Sequence, residues 1–209
     1  MGTDANPPAA NTMFTLQSLP LQLKKIERLN RIALAAEEGA RVYPVYEEYW
    51  VGDFYKDVAR GIELGWAYAC GEEVAAEEVK ECQATLEDLN DYYSEKEISI
   101  LQQAVSAVLF LLRSLTTDEE SSIQAIEGAI WVGQGVAQAA EDMANEFEHS
   151  PPPEVAVDEE KAWQQRALNL AETWEGPPHR RMFEPLSPKP PTWLSDWLTR
   201  TADSRGTIE

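Results

Sequence analysis

Glu146 and His149 stand three residues apart, the spacing at which one helical face can offer a carboxylate and an imidazole to a metal. A di-metal carboxylate bundle needs two such pairs and two further inward glutamates. The second histidine, His179, is preceded at that spacing by Gly176, so half of the motif is missing. His149 is also followed by Ser150 and three prolines, a poor place for a helical ligand. The two thiols, Cys70 and Cys82, lack a CxxC spacing, and both histidines are remote from them in sequence. Gly61, Gly65, Gly128, Gly133 and Gly135 form no phosphate loop, because no Lys-Ser or Lys-Thr follows at the required distance. No G-x-S-x-G elbow occurs, and carboxylates are too abundant for a pair of them to mark an acid–base site. The expectation is a protein without catalytic residues, metal or cofactor.

Charge is the stronger signal. The 209 residues include 37 acidic and 17 basic side chains, a formal net charge of −20. That balance opposes nucleic-acid phosphates and anionic membranes, and it attracts and steers a basic protein. The acids concentrate between Glu72 and Asp91, where Glu72, Glu73, Glu77, Glu78, Glu81, Glu87, Asp88 and Asp91 face only Lys80 as a counter-charge. Glu73, Glu77, Glu81, Asp88 and Asp91 are therefore the candidate partner-binding residues. The plain alternative is a helix side that simply faces water. A second candidate is the aromatic group Tyr43, Tyr46, Tyr49 and Trp50, which reads either as core or as a binding hot spot.

These residues need elements to hold them, and the pattern is helical throughout. The centre is Ser94–Leu115, with no formal charge between Glu97 and Arg113 and a capping-box match at Ser94 and Glu97. Ile98, Leu101, Val105, Val108 and Leu112 lie on one face, and Ile100, Ala104, Ala107 and Leu111 widen it. The run is short for a membrane span and is broken by Gln102, Gln103 and Ser106, so it predicts a buried core helix. Before it, Ile26, Leu29, Ala33, Ala36, Ala40 and Tyr43 predict one amphipathic helix, ended or kinked at Pro44. A second helix starts at an Asp53 cap, buries Phe54, Val58, Ile62 and Trp66, and is closed by Gly71, with Gly61 and Gly65 allowing a close helix neighbour. A third runs from about Glu72 to Tyr92 on a thin stripe of Val74, Val79, Cys82, Leu86 and Leu89.

After the central helix, Thr117 to Glu120 match another capping box. They open a long helix through Ile123, Ile126, Ile130, Ala137, Ala140 and Phe147, with glycines that permit bending or tight packing. A short helix from Asp158 carries Trp163, Ala167, Leu170 and Trp174 and stops at Gly176-Pro177-Pro178. An extended proline-rich segment then leads to a last short helix capped by Thr192, with Trp193, Trp197 and Leu198. No strand alternation or fixed-period repeat occurs. The fold expected is all-α: a bundle of about five helices over 19–149, a disordered tail over 1–18, and a Pro/Trp-rich extension over 150–209 whose tryptophans dock on the bundle. The N-terminus has no basic region or apolar run of a signal peptide, and two cysteines make no disulfide framework, so the compartment expected is the cytoplasm.

Two segments carry a family resemblance. Ala40-Arg41-Val42-Tyr43-Pro44-Val45-Tyr46-Glu47 follows an alanine-rich helix, and Ile62, Glu63, Trp66, Ala69, Gly71 and Glu72 fall in a helix of the form Ile-Glu-x-x-Trp-x-x-Ala-x-Gly-Glu. Across about residues 25–145 the chain resembles the all-helical immunity proteins that accompany bacterial polymorphic toxins. The resemblance implies a cytoplasmic protein that binds and blocks a cognate toxin, and a basic nuclease-type toxin would suit the acidic charge. The Tyr43 and Tyr46 aromatics, the more acidic third helix and the whole chain after Ser150 depart from that pattern. No toxin-contact residue is carried over. The alternative is an adaptor or chaperone for a secreted effector, which the Pro/Trp-rich extension would favour.

Overall fold

A computed structural model describes residues 18–48, 55–96, 98–145, 155–186, 191–195 and 198–199. The order is α1 (Leu19–Leu23), α2 (Arg28–Val42), α3 (Pro44–Glu48), α4 (Tyr55–Ala69), α5 (Ala76–Glu95), α6 (Ser99–Thr116), α7 (Glu119–Asn145) and α8 (Val155–Thr173), then a 3-10 turn at Glu184–Leu186. The described residues contain no strand. The Asp53 cap, the Glu146–His149 pair and Trp197 lie outside them, as do Tyr49 and Trp50.

Helix α6 is the centre that its apolar run predicts. It packs against α2, α3, α4, α5 and α7. Its exposed positions are Ser99, Arg113 and Thr116, while Ile100, Ala104, Val105, Val108, Leu111 and Leu112 are buried. Among the described residues it is the one helix long and apolar enough to cross a membrane by length and composition, and most of it is buried in the bundle. Its start differs from the sequence expectation. Ser94 lies in the last turn of α5, because the buried Tyr93 keeps that helix going, and Ile98 stands at the N-cap of α6 with no side-chain cap.

Glycine sets the spacing of α4 on α6. A Cβ on Gly61 would come 2.5 Å from Val108 Cγ1, and one on Gly65 would come 2.6 Å from Leu111 Cδ2. The backbones meet where no larger residue fits. Val58, Ile62 and Trp66 are buried as expected. Gly71, at φ +80°, ends α4 in a Schellman arrangement, with the Glu72 amide donating to Ala67 O and the Gly71 amide to Tyr68 O.

The junction between α6 and α7 is held by Asp118, one residue later than the capping-box reading placed it. Asp118 Oδ1 accepts the Glu120 and Ser121 amides, both at 3.0 Å, while the Thr117 hydroxyl turns back to Arg113 O at 2.9 Å. Arg28 donates to Ser114 O and Thr117 O, which gives the carbonyl end of α6 a cation.

Two expectations fail in an informative way. The first helix is not one-sided. Pro44 does end it, but every residue of α2 from Asn30 to Gly39 is buried, including Arg31, Glu37 and Glu38. The second failure concerns the C-terminal extension. Helix α8 spans 19 residues from Val155, so Asp158 lies within its first turn. It packs on α2 and α7 and buries Trp163, Ala167, Leu168 and Ala171. The described part of the following segment, up to Leu186, is not extended throughout. It turns at 180–183 and plugs Met182 and Phe183 into the core, with the Phe183 ring 6.4 Å from Trp66 and 6.3 Å from Trp163. Residues 192–195 are helical, and the Pro191 carbonyl rather than Thr192 stands at their cap, accepting the Ser195 amide at 2.9 Å.

Candidate functional site

The acidic segment divides at the start of α5. Glu72 and Glu73 lie in the connection before the helix, not within it. Glu77, Glu81, Asp88 and Asp91 lie on α5 at intervals of four, seven and three, which places them along one side. All five candidate residues are exposed. The opposite side of α5 carries Val79, Cys82, Leu86, Leu89 and Tyr93 into the core. At 1.5 Å per residue, the ladder from Glu77 to Asp91 is about 21 Å long.

Counter-charges meet α5 at its edges. Arg60 of α4 reaches Glu78 at 3.4 Å and Glu81 at 3.8 Å, and Arg113 of α6 reaches Glu87 at 3.2 Å. Hydrogen bonds from Gln83 and Arg113 hold the Glu87 carboxyl below its ordinary pKa. Glu73, Glu77, Asp88 and Asp91 have no ion pair among the described residues. The half-exposed Tyr92 ring stands beside Asp91 and faces Lys96.

The aromatic group splits as well. Tyr46 is buried and donates to Leu101 O at 2.5 Å, with its ring 6.3 Å from Tyr93, so it is core rather than a free patch. Neither thiol is activated. Burial pushes the Cys82 thiol up to about 11, and burial with Glu72 raises that of Cys70. Among the described residues, no cluster of His, Cys, Asp and Glu could hold a metal.

A second polar constellation lies inside the molecule, where α8 meets α2 and α7. Arg41 grips Glu160 through Nε at 3.3 Å and Nη2 at 2.9 Å, and its guanidinium lies 3.9 Å from the centre of the Trp163 ring. Trp193 Nε1 donates to Glu160 Oε2 at 3.2 Å. One turn away on each helix, Gln164 Nε2 donates to Glu38 Oε1 at 2.6 Å and to Ile130 O at 2.9 Å, while Gln164 Oε1 accepts Gln134 Nε2 at 2.7 Å. Glu141 caps the start of α8 through the Val157 amide at 2.9 Å. Gly133 makes room for this: a Cβ there would overlap Glu38 Oε1.

Glu38 is fully buried, and its other oxygen, Oε2, has no hydrogen-bond partner. Burial, and then the Glu160 carboxylate, hold its carboxyl well above the ordinary value. Beside the constellation is a cleft of about 250 Å3, walled by Trp163, Trp193 and Pro191, with Glu159 and Arg166 exposed at its edge. The Glu38 carboxyl does not line it.

Sequence reasoning missed this seam. The only trace in the sequence is charge inside an alanine-rich helix, Glu37, Glu38 and Arg41 around Gly39, with Glu160 and Gln164 one turn apart near Trp163. Compared with protein-family models, curated proteins and solved structures, the chain matches none.

Proposed function

We propose that this chain is a binding protein that captures a basic protein on the outer side of α5, as an immunity protein captures its toxin. The observation that carries the reading is the ladder of exposed carboxylates Glu77, Glu81, Asp88 and Asp91, continued by Glu73. Like charges held along one rigid helix cost self-repulsion, which a cationic partner relieves. A complementary basic surface gains association rate first, and the gain falls with salt. A nuclease-type toxin carries such a surface where it meets nucleic acid, so an acidic inhibitor seated there would also cover its active site. Tyr92 at the end of the ladder would supply the aromatic anchor that charge alone lacks.

The adaptor or chaperone reading would need exposed aromatic rings on the C-terminal extension. Trp163 and Trp193 are buried in this chain's own core, and Trp174 is half-buried, so these rings are not held free for a client.

The test compares the wild type with a Glu77→Lys, Asp88→Lys, Asp91→Lys variant. Both are immobilised, loaded with extract from cells that express the chain naturally, and eluted with rising salt. The expected result is one basic protein held by the wild type and lost by the variant, whose enzymatic activity falls to zero at one equivalent of wild type. Thermal melting of the variant at or above that of the wild type shows that the variant is folded. A partner held equally by both chains, or elution indifferent to salt, would remove α5 from the interface.

A further inference from the structure

The α2–α8 seam sets one guanidinium, that of Arg41, beside two buried carboxylates, Glu38 and Glu160. Glu160 is satisfied as an anion, taking two donors from Arg41 and one from Trp193. Glu38 is not. It has a single donor, the Gln164 amide, and an oxygen with no partner. The charged groups that face it are few. Glu37 and Arg41 come from its own helix and Glu160 from α8. From α7 it meets Gly133 and the Gln164-bonded Ile130 carbonyl, with no charge. The charged residue further along α7, Glu141, is about two turns away and engaged with the Val157 amide. Toward α4 and α6, the neighbouring Gly39 meets only Ile62 and Val108.

As a neutral acid, Glu38 can accept from Gln164 without competing for Arg41. As an anion it would stand beside the Glu160 carboxylate, which already engages Arg41. Gln164 is also the joint through which α8 holds both α2 and α7. We propose that Glu38 is a proton-controlled clasp: protonated, it seats α8 with Phe183 and Trp193 on the bundle, and ionised, it loosens that seat while the α4–α6 core keeps its packing. Burial favours the neutral form, and the burial of Glu38 is created only when α8 and α7 close over α2. The closed seam therefore binds a proton more tightly than the opened one. By linkage, its stability is full below the ordinary carboxylate range and is lost as pH rises through the raised folded value.

Hydrogen exchange read by mass spectrometry on the full chain tests this between about pH 5 and about pH 9, corrected for the intrinsic pH dependence of exchange. In the wild type, protection of α8 relative to α6 should fall by about tenfold or more across that range. In Glu38→Gln, which keeps the acceptor and cannot ionise, the ratio should stay level. A constant α8-to-α6 ratio in the wild type overturns the proposal, and so does a Glu38→Gln chain that follows the wild type. The wild type alone carries a second readout, independent of any variant's folding. A buried neutral carboxyl gives an infrared carbonyl band that survives after exposed acids have ionised, and its loss should track the loss of α8 protection. A spectrum without that band also overturns the clasp.

Discussion

Replacing Arg41 with methionine should be among the costliest single changes on α2. The apolar stem is kept out to about the Nε position, so the loss is that of the guanidinium group with its charge and geometry. Arg41 gives Glu160 two charge-assisted hydrogen bonds and stacks on Trp163 in a buried setting. Breaking a buried pair by removing one partner costs about 3–5 kcal/mol, because the other charge is left without compensation. Against a total stability of about 5–15 kcal/mol, that is roughly a fifth or more of the fold's margin. At about 2–4 °C per kcal/mol for a chain of this size, melting should fall by roughly 6–20 °C. Glu160→Gln alone should also be costly, since it takes from the buried Arg41 the carboxylate that it grips with two nitrogens. The Arg41→Met, Glu160→Gln double variant should recover part of that loss, because it removes both charges and keeps an acceptor for Trp193. Urea unfolding of all four chains at neutral pH gives the cycle. A single-variant cost below about 1 kcal/mol, or a double variant equal to the sum of the singles, would refute the claim that this pair is buried and coupled.

Other perturbations test separate joints. Gly65→Ala would set its Cβ within 2.9 Å of three Leu111 atoms. The overpacking, about 1–3 kcal/mol, should outweigh or cancel the gain of about 1 kcal/mol from helix propensity, and a clearly stabilising result in urea unfolding would separate α4 from α6. Phe183→Ala should cost about 3–5 kcal/mol in urea unfolding, because the buried ring fills the space between Trp66 and Trp163. Asp118→Ala should destabilise the start of α7 while Asp118→Asn largely preserves it, since Asn can accept the same amides. Hydrogen bonds from the Ser121 amide and hydroxyl hold the Asp118 carboxyl below its ordinary value, so its stabilisation is present above the unfolded pKa and lost as pH falls through the folded one. Denaturation against pH should show that acid limb flattened in Asp118→Ala, whereas Glu38 acts with the opposite sign on the alkaline side.

The parts of this fold that show in the sequence are those a local pattern can encode. The uncharged run before Arg113 required burial on nearly every side, and α6 is buried that way. Gly61 and Gly65, one turn apart on an apolar face, announced a close neighbour, and Val108 and Leu111 occupy that place. Cap signals marked the joints but placed their ends imprecisely. Ser94 resembles a start, yet it sits where the buried Tyr93 still anchors α5. Thr117 and Asp118 compete for one cap, and the carboxylate takes both amides.

Helix α2 was misjudged for a different reason. Periodicity scores Glu37, Glu38 and Arg41 as a wet side. Glu38 and Arg41 are held in the interior by Gln164 and Glu160, which arrive from more than a hundred residues away, and no window along the chain contains both halves. The exposed carboxylates of α5 were legible as a charge run. Their value as a site was not, because exposure and sign do not identify a partner.

The two constellations are connected through the use of arginine. Arg31 pairs with Glu119, Arg41 with Glu160, Arg60 with Glu78, Arg113 with Glu87, Arg180 with Glu63 and Arg181 with Glu184. Each of these cations is engaged within the fold, closing a helix end, a seam or an edge. Between Ala76 and Glu95 that leaves seven acids and one lysine, with the unpaired acids on the side facing away from the core. The negative face of α5 therefore follows from where the cations are needed, and it contributes nothing to packing. Reversing Glu77, Asp88 and Asp91 should relieve repulsion on that face and leave melting unchanged or slightly raised. A variant that keeps its fold and loses a basic partner would separate recognition from stability, which few interfaces built on core-forming helices allow.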